Sequence, residues 1–231
     1  MTTQRIGWAG GPDAIAFDLD GTLVDSLPIV LECYRLAIVE LGGRDRSPDE
    51  ILASFSIGPA SVMLAELIGR PVGTEAVACS ESHLAVRASG ISVYEGIVPT
   101  LSALHPHVPL GVLTAADTSA ADIVLRSVGL RPFFDVVIGG DRVRPKPDPH
   151  GLLLACDALG VAPSHAAYVG DGPADMATAR AAGVLALAAG WGHQYSPDRE
   201  ADLVLADPRE LLDVTSGARR LASDRDREVG R

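Results

Sequence analysis

The chain has 231 residues, of which 47% are apolar and 21% charged; that is enough for one large folded domain, or a core with a smaller appendage, and it excludes wholesale disorder. Its 30 acidic residues outweigh 19 basic ones for a formal net charge of −11, which speaks against a nucleic-acid binder or an anionic-membrane binder. Three distant cysteines, Cys33, Cys79 and Cys156, form neither a disulfide framework nor a zinc knuckle, no run approaches the ~20 apolar residues of a membrane span, and Met1 to Pro12 has no apolar signal-peptide core, so a cytoplasmic protein is expected.

In chain order, Ala14 to Phe17 reads as a buried strand. The stretch from Leu27 to Val93 has no convincing strand. Leu27, Val30, Leu31, Tyr34, Ile38 and Leu41 share one helical face, which Gly42 ends. Ser47-Pro48-Asp49-Glu50 is a capping box with proline at the first helical position. Ala60 to Ile68 and Thr74 to Ser89 are further helices. Beyond them, Leu110 to Leu113, Val136 to Ile138, Ala166 to Val169, Val184 to Leu187 and Leu203 to Leu205 read as strands. Asp117 to Val128, a helix opened by Asp148-Pro149 and closed at Gly160, and Pro173 to Ala182 separate the earlier of them. Strand and helix alternating in this way argue for an α/β fold, a parallel sheet with helices on both faces. The expected division is a core of residues 1–26 and 94–215, an all-helical insert of residues 27–93, and a frayed Arg/Asp-rich tail of residues 216–231.

Four polar clusters follow strands or lie in the loops they feed. They are Asp18-Leu19-Asp20-Gly21-Thr22, then Thr114, then Arg144-Pro145-Lys146-Pro147-Asp148, and Gly170-Asp171-Gly172-Pro173-Ala174-Asp175. In an open parallel sheet the carboxyl ends of the strands share one edge, where ligands bind. The clusters therefore converge, gathering four aspartates (Asp18, Asp20, Asp171, Asp175), a hydroxyl and a lysine. Crowded carboxylates raise one another's pKa and stay ionised only around a cation. An all-oxygen donor set suits a hard ion, Mg²⁺ above others. Lysine and threonine beside such a site suit a phosphate dianion, with the N–H groups of Leu19 and Ala115 completing a cradle. Lys146 is the only lysine in a chain with 18 arginines, a bias that a GC-rich coding sequence produces and that singles out the survivor.

Ordinary structural roles compete with this reading. A single aspartate after a strand is usually a cap or turn residue, and Asp117, Asp148 and Asp175 taken alone fit that description. Asp-x-Asp-Gly also occurs in calcium loops, but Val24 to Leu27 supplies none of the further acidic positions. A lone Lys146 would be solvated; between two prolines its backbone is restricted on both sides. The joint pattern outweighs the separate alternatives. His105-Pro106-His107 reads as a surface loop, and Trp191-Gly192-His193 as a packing tryptophan at the same sheet edge. Ser56-Ile57-Gly58-Pro59 is a helix–helix turn or a substrate-facing one, and Arg35, Arg70 and Arg87 are solvated faces or substrate-reading cations.

Asp18-Leu19-Asp20-Gly21-Thr22-Leu23-Val24-Asp25-Ser26, with Thr114, Lys146 and Gly170-Asp171-x-x-x-Asp175, resembles the haloacid dehalogenase superfamily, in its phosphoglycolate-phosphatase-like branch, over roughly residues 13 to 214. The resemblance implies a three-layer Rossmann-like parallel-sheet core with an inserted all-helical cap domain, and a Mg²⁺-dependent phosphatase of a small-molecule phosphate ester. Asp18 would be the nucleophile that forms an aspartyl-phosphate. Asp20 would be the general acid and then the base. Thr114, Ala115 and Lys146 would hold phosphate. Asp18, Asp171 and the backbone carbonyl of Asp20 would hold the metal, and Asp175 would support its waters.

Departures from relatives narrow the activity. Haloacid dehalogenases lack the second aspartate, and Asp20 is present. Phosphonate-cleaving relatives use an insert lysine, and residues 27–93 contain none. β-Phosphoglucomutases carry a histidine soon after the first motif, where this chain has Val30. Glu95 and Ala115 stand where relatives often have Pro and Asn. A phosphomutase and a non-catalytic phosphometabolite-binding module are the alternatives.

Overall fold

The computed structural model describes residues 11–55, 57–197 and 201–215. Its elements in chain order are β1 (Ala14–Phe17), β2 (Val24–Asp25), α1 (Leu27–Glu40), α2 (Pro48–Ser54), α3 (Ala60–Ile68), α4 (Thr74–Arg87), β3 (Ser92–Val93), α5 (Ile97–Leu104), β4 (Leu110–Leu113), α6 (Thr118–Ser127), β5 (Val136–Ile138), α7 (His150–Ala158), β6 (Ala166–Gly170), α8 (Pro173–Ala182), β7 (Leu185–Ala189) and β8 (Leu203–Leu205). Six strands form a parallel sheet in the order β5-β4-β1-β6-β7-β8. β1 is buried along its whole length, as a central parallel strand covered on both faces must be. From β1 the sheet grows through β4 and β5 on one side and through β6 to β8 on the other. That reversal opens a crevice at the carboxyl ends of β4, β1 and β6.

The period of two along a strand divides the core between the faces. Ile15 and Phe17 of β1 pack with Leu101 of α5 and with Val124 and Leu125 of α6. Ala16 faces the other way, with Tyr168 of β6, Leu152 of α7, and Met176 and Ala179 of α8. This is a three-layer α/β sandwich. Helices α1 to α4 bury a separate cluster, including Ile38, Ile51, Met63, Leu64 and Ala76. Cys33 of α1 and Leu84 of α4 instead join the core cluster, so this helical unit is seated on the sheet domain by its own side chains. The Ser47 capping box forms as expected, with Glu50 N–H donating to Ser47 Oγ and Ser47 N–H to Glu50 Oε2.

Several expectations need correction. The stretch from residue 27 to 93 does hold a strand: Val24 pairs with Val93 and Asp25 with Ser92, antiparallel, where the chain enters and leaves the helices. Two residues are too few for a readable period. α4 ends at Arg87 and tightens into a 3₁₀ turn, Ala88–Gly90. Asp148 caps from one position earlier than expected. Pro149 is the N-cap, and the Asp148 carboxylate accepts from His150 N–H. The strand expected from Val184 begins at Leu185, because Val184 N–H still bonds the Ala179 carbonyl of the preceding helix end. α5 was not anticipated. No helix among the described residues is long and apolar enough to cross a membrane. Ser56 and the tail of residues 216–231 lie outside the described residues.

Candidate active site

Asp18 follows directly from β1, and its N–H donates to Val169 O of β6 at 2.8 Å. The next residues turn tightly, with the N–H groups of Thr22, Leu23 and Val24 all directed at Leu19 O. Gly21 has φ +83°, and a Cβ there would stand 2.4 Å from Asp171 Oδ2. Both the backbone conformation and the closeness of Asp171 require glycine. The first loop thereby lies against the residue that follows β6, although the two are 150 positions apart.

Lys146 arrives from the loop after β5 and joins the carboxylates. Its Nζ donates to Asp18 Oδ1 at 2.8 Å and to Asp175 Oδ1 at 2.7 Å, and lies 5.4 Å above the Tyr168 ring. Asp175 sits in the first turn of α8, where Gly172 N–H donates to its Oδ2 at 2.9 Å. The Tyr168 hydroxyl is 3.1 Å from Asp175 Oδ1. Both Asp175 oxygens are thus occupied by protein donors. Asp171 differs: its Oδ2 accepts from Gln194 N–H at 2.9 Å, while its Oδ1 is buried without a hydrogen-bond partner. Carboxylate oxygens of Asp18, Asp171 and Asp175 lie within 4.8 Å of one another. Asp20 lies outside this trio but close enough for its charge to act on Asp18 and for the Lys146 charge to act on it, and its carboxylate accepts from Ser26 Oγ. Thr114 is buried at the end of β4, with Ala116 N–H donating to its hydroxyl at 3.1 Å.

Burial dominates the electrostatics. It pushes the Asp18 carboxyl from 3.8 up to about 8 against the opposing pull of Lys146. It also raises Asp20, against the Ser26 hydrogen bond, and Asp171, against the Gln194 N–H. The Lys146 ammonium is held well above its ordinary range: burial opposes the charge, and the carboxylates of Asp175 and Asp18 together outweigh it. Crowded, desolvated carboxylates with one unpartnered oxygen are a donor set in want of a cation. Oxygen-only ligands fit a hard divalent ion such as Mg²⁺.

A cleft of about 520 Å³ opens over Asp18, Thr114, Ala115, Lys146 and Asp175, and its far wall is Phe55, Ile57, Gly58 and Pro59 from the α2–α3 turn. A smaller cavity of about 60 Å³ lies beside Asp20 between α1, α4 and α6. The structure thus brings together Asp18, Lys146, Asp171 and Asp175, and places Thr114 and Ala115 on the same cleft.

Sequence reasoning missed the supporting partners. Tyr168 falls inside the apolar run Ala166 to Val169, and Ser26 closes the first motif without a role of its own. Gln194 carried no signal. Trp191 was expected to pack, and its Nε1–H also donates to Thr22 O at 2.9 Å. His193 follows within two residues, and its Nδ1 is 3.9 Å from Asp171 Oδ2. The arginines put forward as substrate readers are engaged elsewhere. Arg35 pairs with Glu32 and Asp45, Arg70 donates to the carbonyls of Leu41 and Pro71, and Arg87 donates to His83 O.

Comparison with known proteins agrees with this architecture. The haloacid dehalogenase-like hydrolase family matches residues 12–183. The phosphoglycolate phosphatase of Chromobacterium violaceum is 33% identical over 216 residues, covering 87% of this chain and 95% of its own. The N-acetylmuramic acid 6-phosphate phosphatase of Pseudomonas aeruginosa is 30% identical, covering 89% and 95%. Among solved structures, a haloacid dehalogenase-superfamily hydrolase of Geobacter sulfurreducens superposes with a TM-score of 0.70 at 29% identity, covering 88% of this chain and 99% of that one.

Proposed function

The chain belongs to the haloacid dehalogenase-like hydrolases and is a phosphoric monoester hydrolase acting on a small phosphorylated substrate, and on that premise we propose that Asp18 takes the phosphoryl group from the ester before water releases it. The observation that carries this is Lys146 Nζ at 2.8 Å from Asp18 Oδ1 on the floor of a cleft wide enough for a small ester. An ammonium in that position neutralises the phosphate dianion as the carboxylate approaches it.

In the first step an Asp18 oxygen bonds to phosphorus as the ester P–O bond breaks, and Asp20 gives its proton to the departing alkoxide. In the second step Asp20 takes a proton from water, the water oxygen bonds to phosphorus, and the Asp18–phosphorus bond breaks to free phosphate. Thr114 and the N–H groups of Leu19 and Ala115 would orient the phosphoryl oxygens. Mg²⁺ would be held by Asp18, Asp171 and the backbone carbonyl of Asp20. When bound it supplies charge neutralisation at the phosphate oxygens. Asp175, with both oxygens engaged by Lys146 and Gly172, is a positioning residue that keeps Lys146 in place.

The test is phosphate release from an alkyl phosphate with Mg²⁺, with excess EDTA, and from the Asp20→Asn protein. The reading expects release with Mg²⁺, loss in EDTA, and a larger loss in the variant for alkyl esters than for nitrophenyl phosphate, whose leaving group needs less protonation. Equal rates in all three would overturn it, and an isomerised phosphate ester in place of free phosphate would make the protein a mutase.

A further inference from the structure

The walls above the phosphate site carry information about the alcohol that leaves. The α2–α3 turn contributes Phe55, Ile57, Gly58 and Pro59 to the cleft, without a charge among them. Phe55 and Ile57 are 40% and 48% exposed. Exposed apolar side chains gathered at the mouth of a cleft mark a binding surface. Tyr34 stands edge-on to Phe55 with ring centroids 5.9 Å apart and also lines the cavity beside Asp20. The aromatic pair therefore joins the two cavities.

Charge points the same way. The helical unit has five arginines, Arg35, Arg44, Arg46, Arg70 and Arg87, and none lines either cavity. The one charged residue it contributes to them is an acid, Glu81. Apart from Lys146, the lining cation is Arg144, which is ion-paired to Asp148 at 3.1 Å. With Arg144 and Asp148 neutralising each other, a carboxylate on the leaving group would lose its water and meet Glu81 and Asp117 in the linings, a cost that like charges in a partly desolvated site impose.

We propose that the preferred substrate is the phosphate ester of an uncharged alcohol with an apolar face, seated against Phe55, Ile57 and Pro59, and that carboxylated esters such as phosphoglycolate are poor substrates. This rests on the phosphatase reading above and adds its selectivity. A misplaced or missing apolar contact in such a pocket changes discrimination by roughly tenfold to a few hundredfold.

The experiment compares kcat/KM of the Mg²⁺-loaded protein for benzyl phosphate, 2-phosphoglycolate, glucose 6-phosphate and acetyl phosphate. Benzyl alcohol is an ordinary alkoxide leaving group, so the comparison does not reward intrinsic reactivity. Benzyl phosphate should exceed phosphoglycolate and glucose 6-phosphate by about tenfold or more. Phe55→Ala and Ile57→Ala should raise KM for benzyl phosphate more than for acetyl phosphate. Ile57→Arg should shift the benzyl-to-phosphoglycolate ratio toward phosphoglycolate. A higher kcat/KM for phosphoglycolate or glucose 6-phosphate, or ratios that none of the three variants moves, would overturn the selectivity while leaving the phosphatase intact. Failure to hydrolyse any of the four compounds, the acyl phosphate included, would overturn both.

Discussion

The floor of the cleft and its roof are built on different principles. On the floor, Asp18 and Lys146 come from the loops after β1 and β5 and Asp175 from the first turn of α8; the two carboxylates are buried, and Lys146 bridges them at 2.8 and 2.7 Å. The roof, Phe55, Ile57, Gly58 and Pro59, carries no charge, exposes its apolar side chains and is held by helices with a core of their own. Groups that must meet phosphorus in one geometry need rigid support. Groups that meet only the alcohol need shape and polarity, and can change with little consequence for the sheet below. Damage to the floor should therefore abolish chemistry, and damage to the roof should change selectivity or local stability.

The largest effect is expected from Asp18→Asn. It should lower kcat for every ester by at least ~10⁴-fold, with circular dichroism unchanged. Lys146→Ala comes next, at about 10²–10³-fold in kcat. It also strands Asp18 and Asp175 without their cation, a loss of ~3–5 kcal/mol for a broken buried pair, readable by urea denaturation. Arginine should rescue neither, since its planar fork cannot take the place of a point-charge ammonium between two carboxylates.

Chelation sharpens the contrast through pH. In metal-free protein the Asp18 carboxyl is raised from 3.8 to about 8, and Asp20 and Asp171 are raised too. A raised carboxyl keeps its proton in the folded state after the unfolded chain has released it, so its stabilisation is complete below pH 3.8 and is lost as pH rises through about 8. Tm in EDTA should fall between pH 5 and pH 8, and the Tm gain on adding Mg²⁺ should be larger at pH 8. An equal gain at both values would show that the ion is not held by these carboxylates.

Two smaller effects separate the regions. Tyr168→Phe removes a hydroxyl beside Asp175 and should cost ~1 kcal/mol, with a modest fall in kcat. Ser47→Ala breaks the α2 capping box and should cost at most about 1 kcal/mol, with kcat unaltered in steady-state assays.

The floor was far more legible in the sequence than the roof. Asp18, Asp171 and Lys146 follow short apolar runs, and parallel strands carry such residues to a common edge whatever their separation along the chain. The capping box at Ser47 and the helix from Pro173 to Ala182 were readable from local rules alone. What escaped depends on packing between distant segments. Nothing local in Tyr168 or Ser26 reveals that one would lie beside Asp175 and the other would donate to Asp20. The two-residue pairing of Val24–Asp25 with Ser92–Val93 is too short to have a pattern. Ile57, Gly58 and Pro59 were readable as a helix–helix turn or a substrate-facing one, and the sequence could not choose between them; Phe55 carried no signal. Arg35, Arg70 and Arg87 read as solvated faces or as substrate readers, and only their partners in the fold decide between the two.

The central claim is that Asp18 carries the phosphoryl group during turnover. Acid quenching of the Mg²⁺-loaded protein within its first turnover, followed by mass spectrometry of its peptides, reads that directly. The account predicts a phosphoryl adduct on the peptide containing Asp18, appearing before free phosphate and absent from Asp18→Asn. Steady phosphate release with no adduct at any quench time, or an adduct on a different peptide, would contradict it.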